Sequence, residues 1–276
     1  MFGPGEYVRF CAPPQLPGAE LYSARLVNHS FAAHVHEGFS VGVIEAGVER
    51  FRYRGAEHVA DAGTLVFLNP DEPHTGQAEV AAGWRYHMLY LEPPLVRTLV
   101  GGDCHFATAT VRDAALAHAF LSTLPALWQA AEPLAFQSRV AGLLQTAARR
   151  HGGLASRAGA AVGRRRFARV ADYIEAHLEE PLQLPTLAAL AELSLAHFVR
   201  AFTAEYHLSP HRYVQARRLA RAKRLLAAAM PPAQAASAAG LTDQSHLTRW
   251  FRQAYGVTPA RYQEQIRTRP APGCRA

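Results

Sequence analysis

Cysteine is scarce in this chain: Cys11, Cys104 and Cys274 are the only three in 276 residues. An odd number so widely spaced excludes a disulfide framework and a cysteine-rich zinc site, and it suits a reducing compartment, the cytoplasm. Long apolar runs are missing too. Nowhere do about 18 consecutive apolar residues occur, so no membrane span is expected. The opening stretch MFGPGEYVRF lacks the apolar run of a signal peptide. Charged residues make up only 18% of the chain against 49% hydrophobic, the proportions of an ordinary globular protein rather than a disordered one. Aromatic residues vanish between Gly152 and Gly163, GGLASRAGAAVG, which marks 152–163 as a linker between a first domain, 1–151, and a second, 164–276. Acidic residues thin out beyond it. Residues 1–160 hold 12 Lys+Arg against 14 Asp+Glu, whereas 161–276 hold 17 against 8. A basic half after a near-neutral one implies a polyanionic partner, although a basic surface kept for solubility is the plainer alternative.

What the basic half contains is a repeated helix. In Gly240–Pro259, GLTDQSHLTRWFRQAYGVTP, Asp243 is a good N-cap, because its carboxylate accepts from the first-turn amides. Leu247, Phe251 and Tyr255 recur every four residues as one apolar stripe, and Gly256 and Pro259 end the helix. The other face carries Gln244, Ser245, Thr248, Arg249 and Arg252, side chains that match the base edges of DNA. Forty-nine positions earlier SLAHFVRAFTAEYHLSP repeats the cap (Ser194), a His (His197), the Arg (Arg200), the core residues (Phe202, Tyr206) and the Pro (Pro210). A short helix precedes each, at Pro185–Ala191 and about Pro232–Ala239, which is the helix-turn-helix plan. Between the two units PHRYVQARRLARAKRLLAAAM predicts a helix over Pro210–Ala227, roughly 27 Å long at 1.5 Å per residue. That is comparable with the ~34 Å between successive major-groove faces, so one chain could read two grooves. Tyr213, Leu219, Leu225 and Leu226 are its expected apolar anchors. Arg212, Arg217, Arg218, Arg221, Lys223 and Arg224 are candidate phosphate contacts or a solvated face.

ARRLARAKRLL, the GLTDQSHLTRWFRQAYGVTPARY block and HFVRAF…HLSPHRY before it resemble the AraC/XylS-type transcriptional regulators over about 167–267. The resemblance implies two helix-turn-helix units joined by a linker helix, bound to promoter DNA. Carried over position by position, the base-facing residues are Ala196, Val199 and Arg200 in the first unit and Gln244, Ser245, Thr248 and Arg249 in the second. His197 and His246 are expected to be structural, and Phe198, Phe202, Leu247 and Phe251 core. Three departures from the family pattern concern stability rather than recognition. Glu192 stands where the first turn usually has Gly, Ala235 where a larger aliphatic is usual, and Leu241 in place of the common Phe.

From Glu20 to Leu91 short runs (VGVIEAG, ERFRYRG, EHVADAG, GTLVFLNP, GWRYHMLYLEP) read as strands of a small barrel. AALAHAFLSTLPALWQAA and PLAFQSRVAGLLQTAARR then read as two helices packed on the barrel or on a second subunit, the second being the favoured dimer element. The stretch FAAHVHEGFSVGVIEAGVERFRYRGAEHVADAGTLVFLNPDEPHTG resembles the cupin-like ligand domain fused to this family. The expected fold class is therefore α+β and multi-domain: an N-terminal cupin-like β-barrel with two packing helices, then an all-α domain of two helix-turn-helix units joined by a linker helix. His34 and His36 share one strand face, and His74 follows the NPDEPH turn as the third His of a metal barrel would. The carboxylate such a site usually adds is replaced by Ser40-Val41, and Glu45 is out of register. Three imidazoles alone could hold zinc or nickel, hydrogen-bond an organic ligand, or satisfy one another. No cofactor and no metal is assigned. Strand alternation puts Trp84, Tyr86 and Met88 on one face, and the resemblance turns that face toward an effector.

The reading is a cytoplasmic transcription factor, an activator and homodimer, that binds double-stranded promoter DNA, a small-molecule effector and RNA polymerase, and is not an enzyme. The alternatives are a metal-dependent barrel enzyme with a DNA-binding tail, and a regulator whose front half only dimerises or binds a protein. Stoichiometric metal with turnover would favour the first, and silence toward all small molecules the second.

Overall fold

The computed structural model describes residues 3, 5–129, 132–153 and 160–267, excepting the side chains of 160–166. Its first half is strand-rich. β1 (Tyr7–Cys11), β2 (Ala19–Leu26), β3 (Phe31–His34), β4 (Phe39–Tyr53), β5 (Ala56–Asp61), β6 (Leu65–Leu68), β7 (His74–Ala78) and β8 (Trp84–Leu91) come first. They are followed by α1 (Pro93–Val100), β9 (His105–Phe106), β10 (Thr110–Val111), α2 (Ala114–Leu127), α3 (Pro133–His151) and β11 (Gly152–Gly153). The sheet runs β1-β2-β8-β4-β6-β10, while the far half of β4 pairs with β5 and β7, and β7 with β3. One long strand thus serves two sheets and closes the barrel. VGVIEAG and ERFRYRG, which read as separate strands, are both β4. Gly47 (φ 75°) lies just beyond a register shift between Ile44 and Ala46, and it bends the strand without ending it. A Cβ at Gly47 would lie 1.9 Å from the carbonyl oxygen of Gly83, so only glycine fits.

Both faces of this sheet are buried. Tyr22, Ile44, Val66, Tyr86 and Met88 point into the barrel, and their chain neighbours Leu21, Val43, Phe67 and Leu89 point outward under α1–α3. The apolar stripe of α3 (Phe136, Val140, Leu144, Ala147) joins that second cluster. The apolar stripe of the helix favoured for dimer contact is therefore covered within its own chain, while its other face stays exposed. Periodicity shows that a stripe must be covered, not by what.

Gly152 and Gly153, the first residues of the expected linker, pair with β9 as β11. Residues 154–159 lie outside the described residues, and α4 (Ala160–Ala176) begins four positions before residue 164, the expected domain start. The remaining helices are α5 (Leu184–Leu190), α6 (Leu195–Tyr206), α7 (Pro210–Ala227), α8 (Pro232–Ala238), α9 (Gln244–Tyr255) and α10 (Pro259–Arg267). They form two helix-turn-helix units, α5–α6 and α8–α9, joined by α7 over the predicted residues. Asp243 caps α9 by accepting from the His246 amide at 2.7 Å. Ser194 occupies the N-cap of α6 with extended backbone and makes no side-chain cap bond. Phe198, Phe202, Leu247 and Phe251 are fully buried, as are Ala235 and Leu241.

Each unit turns through a left-handed residue: Gly240 (φ 73°) in the second, Glu192 (φ 56°) in the first. A left-handed L-residue costs about 1–2 kcal/mol, partly offset because glycine is more costly to order. The Glu192 side chain is 85% exposed and forms a 3.9 Å ion pair with Arg169. Glu192→Gly is expected to stabilise the protein by up to about 1 kcal/mol. A rise in melting temperature of a few degrees checks it, and an unchanged or lower one rejects it.

The halves share a core. α9 contacts β3, and α10 lies along β1. There the Phe10 amide donates to Gln265 Oε1, and Gln265 Nε2 donates to the Val8 carbonyl, both at 3.0 Å. Val35, just past β3, is fully buried among Phe198, Phe202 and Tyr213 of the first unit.

Candidate effector cavity and DNA-reading face

The barrel mouth opens onto a cavity that α9 closes. Barrel residues Tyr22, Glu49, Tyr86, Met88 and Tyr90 line it, His34, His36 and His74 stand at one end, and Ala254 and Tyr255 form the lid. Alternation explains the lining. Tyr86, Met88 and Tyr90 share a face of β8, and Glu49 shares a face of β4 with Phe51 and Tyr53, both buried. Trp84, expected here, is on the same face but outside the cavity. It sits at the end of β8 beside the Gly47–Gly83 contact, packed against Phe31 (6.3 Å) and Tyr86 (5.9 Å). Glu45 stays outside despite the bulge, bound to His87 and Arg85 at 2.8 Å each.

Polar side chains are set among the apolar ones in the cavity wall. Tyr86 donates to the Tyr22 hydroxyl at 3.0 Å. Burial pushes the Glu49 carboxyl up to about 8, so it is largely protonated at neutral pH and able to donate. Burial also lowers the three imidazoles, His34 and His36 well below their ordinary value and His74 to about 4. Tyr22, Glu49, Tyr90 and Tyr255 escaped the sequence reading. Parity with Phe51 and Tyr53 would have found Glu49, and one more step along β8 would have found Tyr90. Tyr255 read as one residue of a core stripe, and its role as a lid depends on docking that no local pattern encodes.

On the opposite side of α9, Gln244, Ser245 and Arg249 are exposed and Thr248 half-buried. In α6 Ala196 and Arg200 are exposed, while Val199 leans into the core of the first unit. His246 is half-buried with its ring edge-on to Trp250 at 4.1 Å, and His197 is exposed. The barrel residues His29 and Ser30 border the same groove as Gln244, Ser245, Thr248 and Arg249.

Four of the six basic residues of α7, Arg217, Arg218, Arg221 and Lys223, are turned toward the rest of the chain, whereas Arg212 and Arg224 remain exposed. Arg217 pairs with Glu175 and Asp71, and those two carboxylates hold its charge against burial. Arg218 donates to the carbonyls of Leu178 and Glu180 at 2.8 and 2.7 Å. Arg221 meets Glu179 at 3.4 Å, Lys223 meets Glu20 at 2.5 Å, and Arg224 meets Glu37 at 2.6 Å. Lys223 also lies 5.0–5.3 Å from the rings of Phe10, Tyr90, Tyr255 and Tyr262. Three of the acids, Glu20, Glu37 and Asp71, belong to the barrel half, so these charges hold the halves together.

Known proteins place this arrangement. Residues 16–146 match the AraC-like ligand binding domain and residues 187–265 a helix-turn-helix domain. The uncharacterised HTH-type transcriptional regulator YbfI of Bacillus subtilis is 24% identical over 235 residues, 83% of this chain and 85% of YbfI. The probable transcriptional regulator LumQ of Photobacterium leiognathi is 37% identical over 97 residues, 35% of this chain and only 39% of LumQ. An apo ToxT variant from Vibrio cholerae superposes with a TM-score of 0.59 at 10% identity, covering 90% of this chain and 98% of ToxT. ToxT with an unsaturated fatty acid bound superposes with a TM-score of 0.54 at 9% identity, covering 96% and 97%. No single helix among the described residues is long and apolar enough to cross a membrane. With an AraC-like ligand-binding domain, a helix-turn-helix domain and the ToxT fold over nine-tenths of its length, the chain belongs to the AraC family of transcriptional regulators.

Proposed function

We propose that a small molecule enters the barrel beneath Tyr255 and changes how the second helix-turn-helix unit meets promoter DNA. One observation carries this: α9 presents Gln244, Ser245 and Arg249 on one side and closes the cavity with Ala254 and Tyr255 on the other. A ligand acts only through its different affinity for the docked and released arrangements of α9. In the docked one His29 and Ser30 border the base-reading face, so a duplex has restricted access to it. The effector is a compact organic molecule with hydrogen-bonding groups, matched to Glu49, the tyrosines and the imidazoles of the cavity wall. This differs from the unsaturated fatty acid bound by ToxT. The barrel recognises this ligand rather than turning it over. The regulator works in the cytoplasm, as a homodimer through its front half, and meets RNA polymerase at the promoter.

A thermal-shift screen of the full chain against metabolites tests the reading. A ligand at about 100 times its Kd adds about 2.7 kcal/mol, and Tyr255→Ala is expected to weaken the hit. A ligand that binds the barrel yet leaves DNA affinity unchanged overturns the proposal. For the DNA face, Arg249→Ala is expected to cost about 1–3 kcal/mol of discrimination at one base step, with non-specific binding nearly intact. Uniform weakening on all sequences would make Arg249 a phosphate contact.

A further inference from the structure

Glu49 carries a buried carboxyl that the rest of the chain leaves uncompleted. The residue is 8% exposed, and among the described residues no hydrogen bond or ion pair reaches its side chain. Across the sheet it faces Ala60 and Ala78, whose side chains offer no donor. Gly76 leaves the space that Glu49 Oε1 fills, since a Cβ there would lie 2.7 Å from it. Ser40, near the start of β4, repeats the pattern. It is 1% exposed, and its hydroxyl has no partner among the described residues. Buried polar groups are costly when left unpaired, and here two of them line one cavity. Two imidazoles of the wall are acceptors as well. His34 Nδ1 donates to the Ala32 carbonyl at 2.8 Å and His74 Nδ1 to the Glu72 carbonyl at 3.2 Å, which leaves each Nε2 with its lone pair.

Aromatic rings share the wall with these acceptors. Tyr22 stands 5.3 Å from Tyr86 and 5.8 Å from Tyr90. Burial above all, with the charge of Glu49 among the lesser causes, raises these three phenols, so they stay neutral. No lysine or arginine is among the described residues that line the cavity. Lys223, near Tyr90 and Tyr255, is taken by Glu20 at 2.5 Å. We propose that the cavity binds a compact organic cation, a primary ammonium or a guanidinium, whose N–H groups donate to Glu49 and Ser40 and whose charge lies among the rings of Tyr22, Tyr86 and Tyr90. This rests on the effector reading and gives that effector its charge. An anion would meet neutral imidazoles and a carboxyl, with no free cation to balance it. Without a cation beside it Glu49 holds its proton at pH 7. Binding therefore breaks the carboxyl O–H bond, sends that proton to solvent and leaves a carboxylate against the ligand's N–H groups. The other titratable groups around the cavity are Tyr22, Tyr86, Tyr90 and Tyr255, the three imidazoles, and Lys223 in its ion pair. Burial keeps the phenols protonated and the imidazoles unprotonated from pH 6 to 8, so Glu49 is the group of the wall that titrates in this window.

Isothermal calorimetry on the full chain tests this with four probes of similar shape: benzylammonium, benzylguanidinium, neutral benzyl alcohol and anionic benzoate. The two cations are expected to bind at least about tenfold more tightly than benzyl alcohol, with benzoate the weakest. Heats measured at pH 7 in phosphate and in Tris should differ by about one proton released per cation bound, and cation affinity should rise about tenfold from pH 6 to 7. Glu49→Gln is expected to weaken the cations by at least about tenfold and to abolish the proton release, while benzyl alcohol stays within about twofold. Three results in the wild-type chain overturn the inference whether or not the variant folds: no binding of either cation, cations bound without proton release, or benzyl alcohol or benzoate bound as tightly. If benzyl alcohol or benzoate then alters operator affinity, the effector reading stands without its charge. Cations that bind with proton release yet leave DNA affinity unchanged uphold the inference and overturn the effector reading.

Discussion

Replacing Lys223 by methionine is expected to undock the two halves of the protein. Methionine keeps an apolar stem against Phe10, Tyr90, Tyr255 and Tyr262 but removes the charge that faces Glu20. The side chains of Lys223 and Glu20 are only 15% and 13% exposed, so Glu20 would be left as a buried carboxylate with the Tyr262 hydroxyl as its donor. Removing one partner of a buried pair typically costs about 3–5 kcal/mol. That cost falls on the contact between α7, α10 and the barrel rather than on either half's own core. Calorimetry is expected to resolve two transitions in the variant where the wild type has one. Scattering should report a larger radius of gyration. Operator affinity should rise, because His29 and Ser30 no longer border the base-reading face. A single transition at an unchanged temperature would mean that the halves are held mainly by apolar contact.

A second large effect is expected from pH. Glu49, with its carboxyl raised to about 8 by burial, keeps in the folded state a proton that the unfolded chain gives up near its ordinary value of about 4.3. The folded state therefore binds more protons across this window, and stability falls as pH rises through it. The slope is about 1.4 kcal/mol per pH unit, or about 2 kcal/mol between pH 6.5 and 8. The imidazoles act in the opposite sense. Their folded values are depressed, so the stability they contribute is present above about pH 6.5 and is lost on acidification. The protein should be most stable near pH 6.5, and Glu49→Gln should remove the alkaline decline while leaving the acid one. An alkaline decline that persists in Glu49→Gln would assign it elsewhere.

Local patterns made much of this protein legible. The two recognition helices, their caps and α7 follow from apolar spacing and terminator residues, and the resemblance marked Glu192 as standing where the family's first turn has Gly. The face of β8 that carries Tyr86 and Met88 followed from alternation. What escaped depends on contact between segments far apart in the chain. The basic row of α7 looks like a phosphate ladder until Glu20, Glu37 and Asp71 come opposite it. Tyr255 looks like core until the barrel mouth comes beneath it. The strand break expected between VGVIEAG and ERFRYRG vanished because glycine in a bulge and glycine in a turn are indistinguishable in sequence.

Lys223 is the only lysine in the chain. Apart from the α-amino group, it is the one primary amine that acylating reagents can modify, and in the docked state it is ion-paired, ringed by aromatics and mostly buried. Brief treatment with an amine-selective reagent should therefore label one tryptic site at a rate set by how often α7 leaves the barrel. The mass of a single peptide would then count, inside a cell as well as in a cuvette, the fraction of regulator standing open.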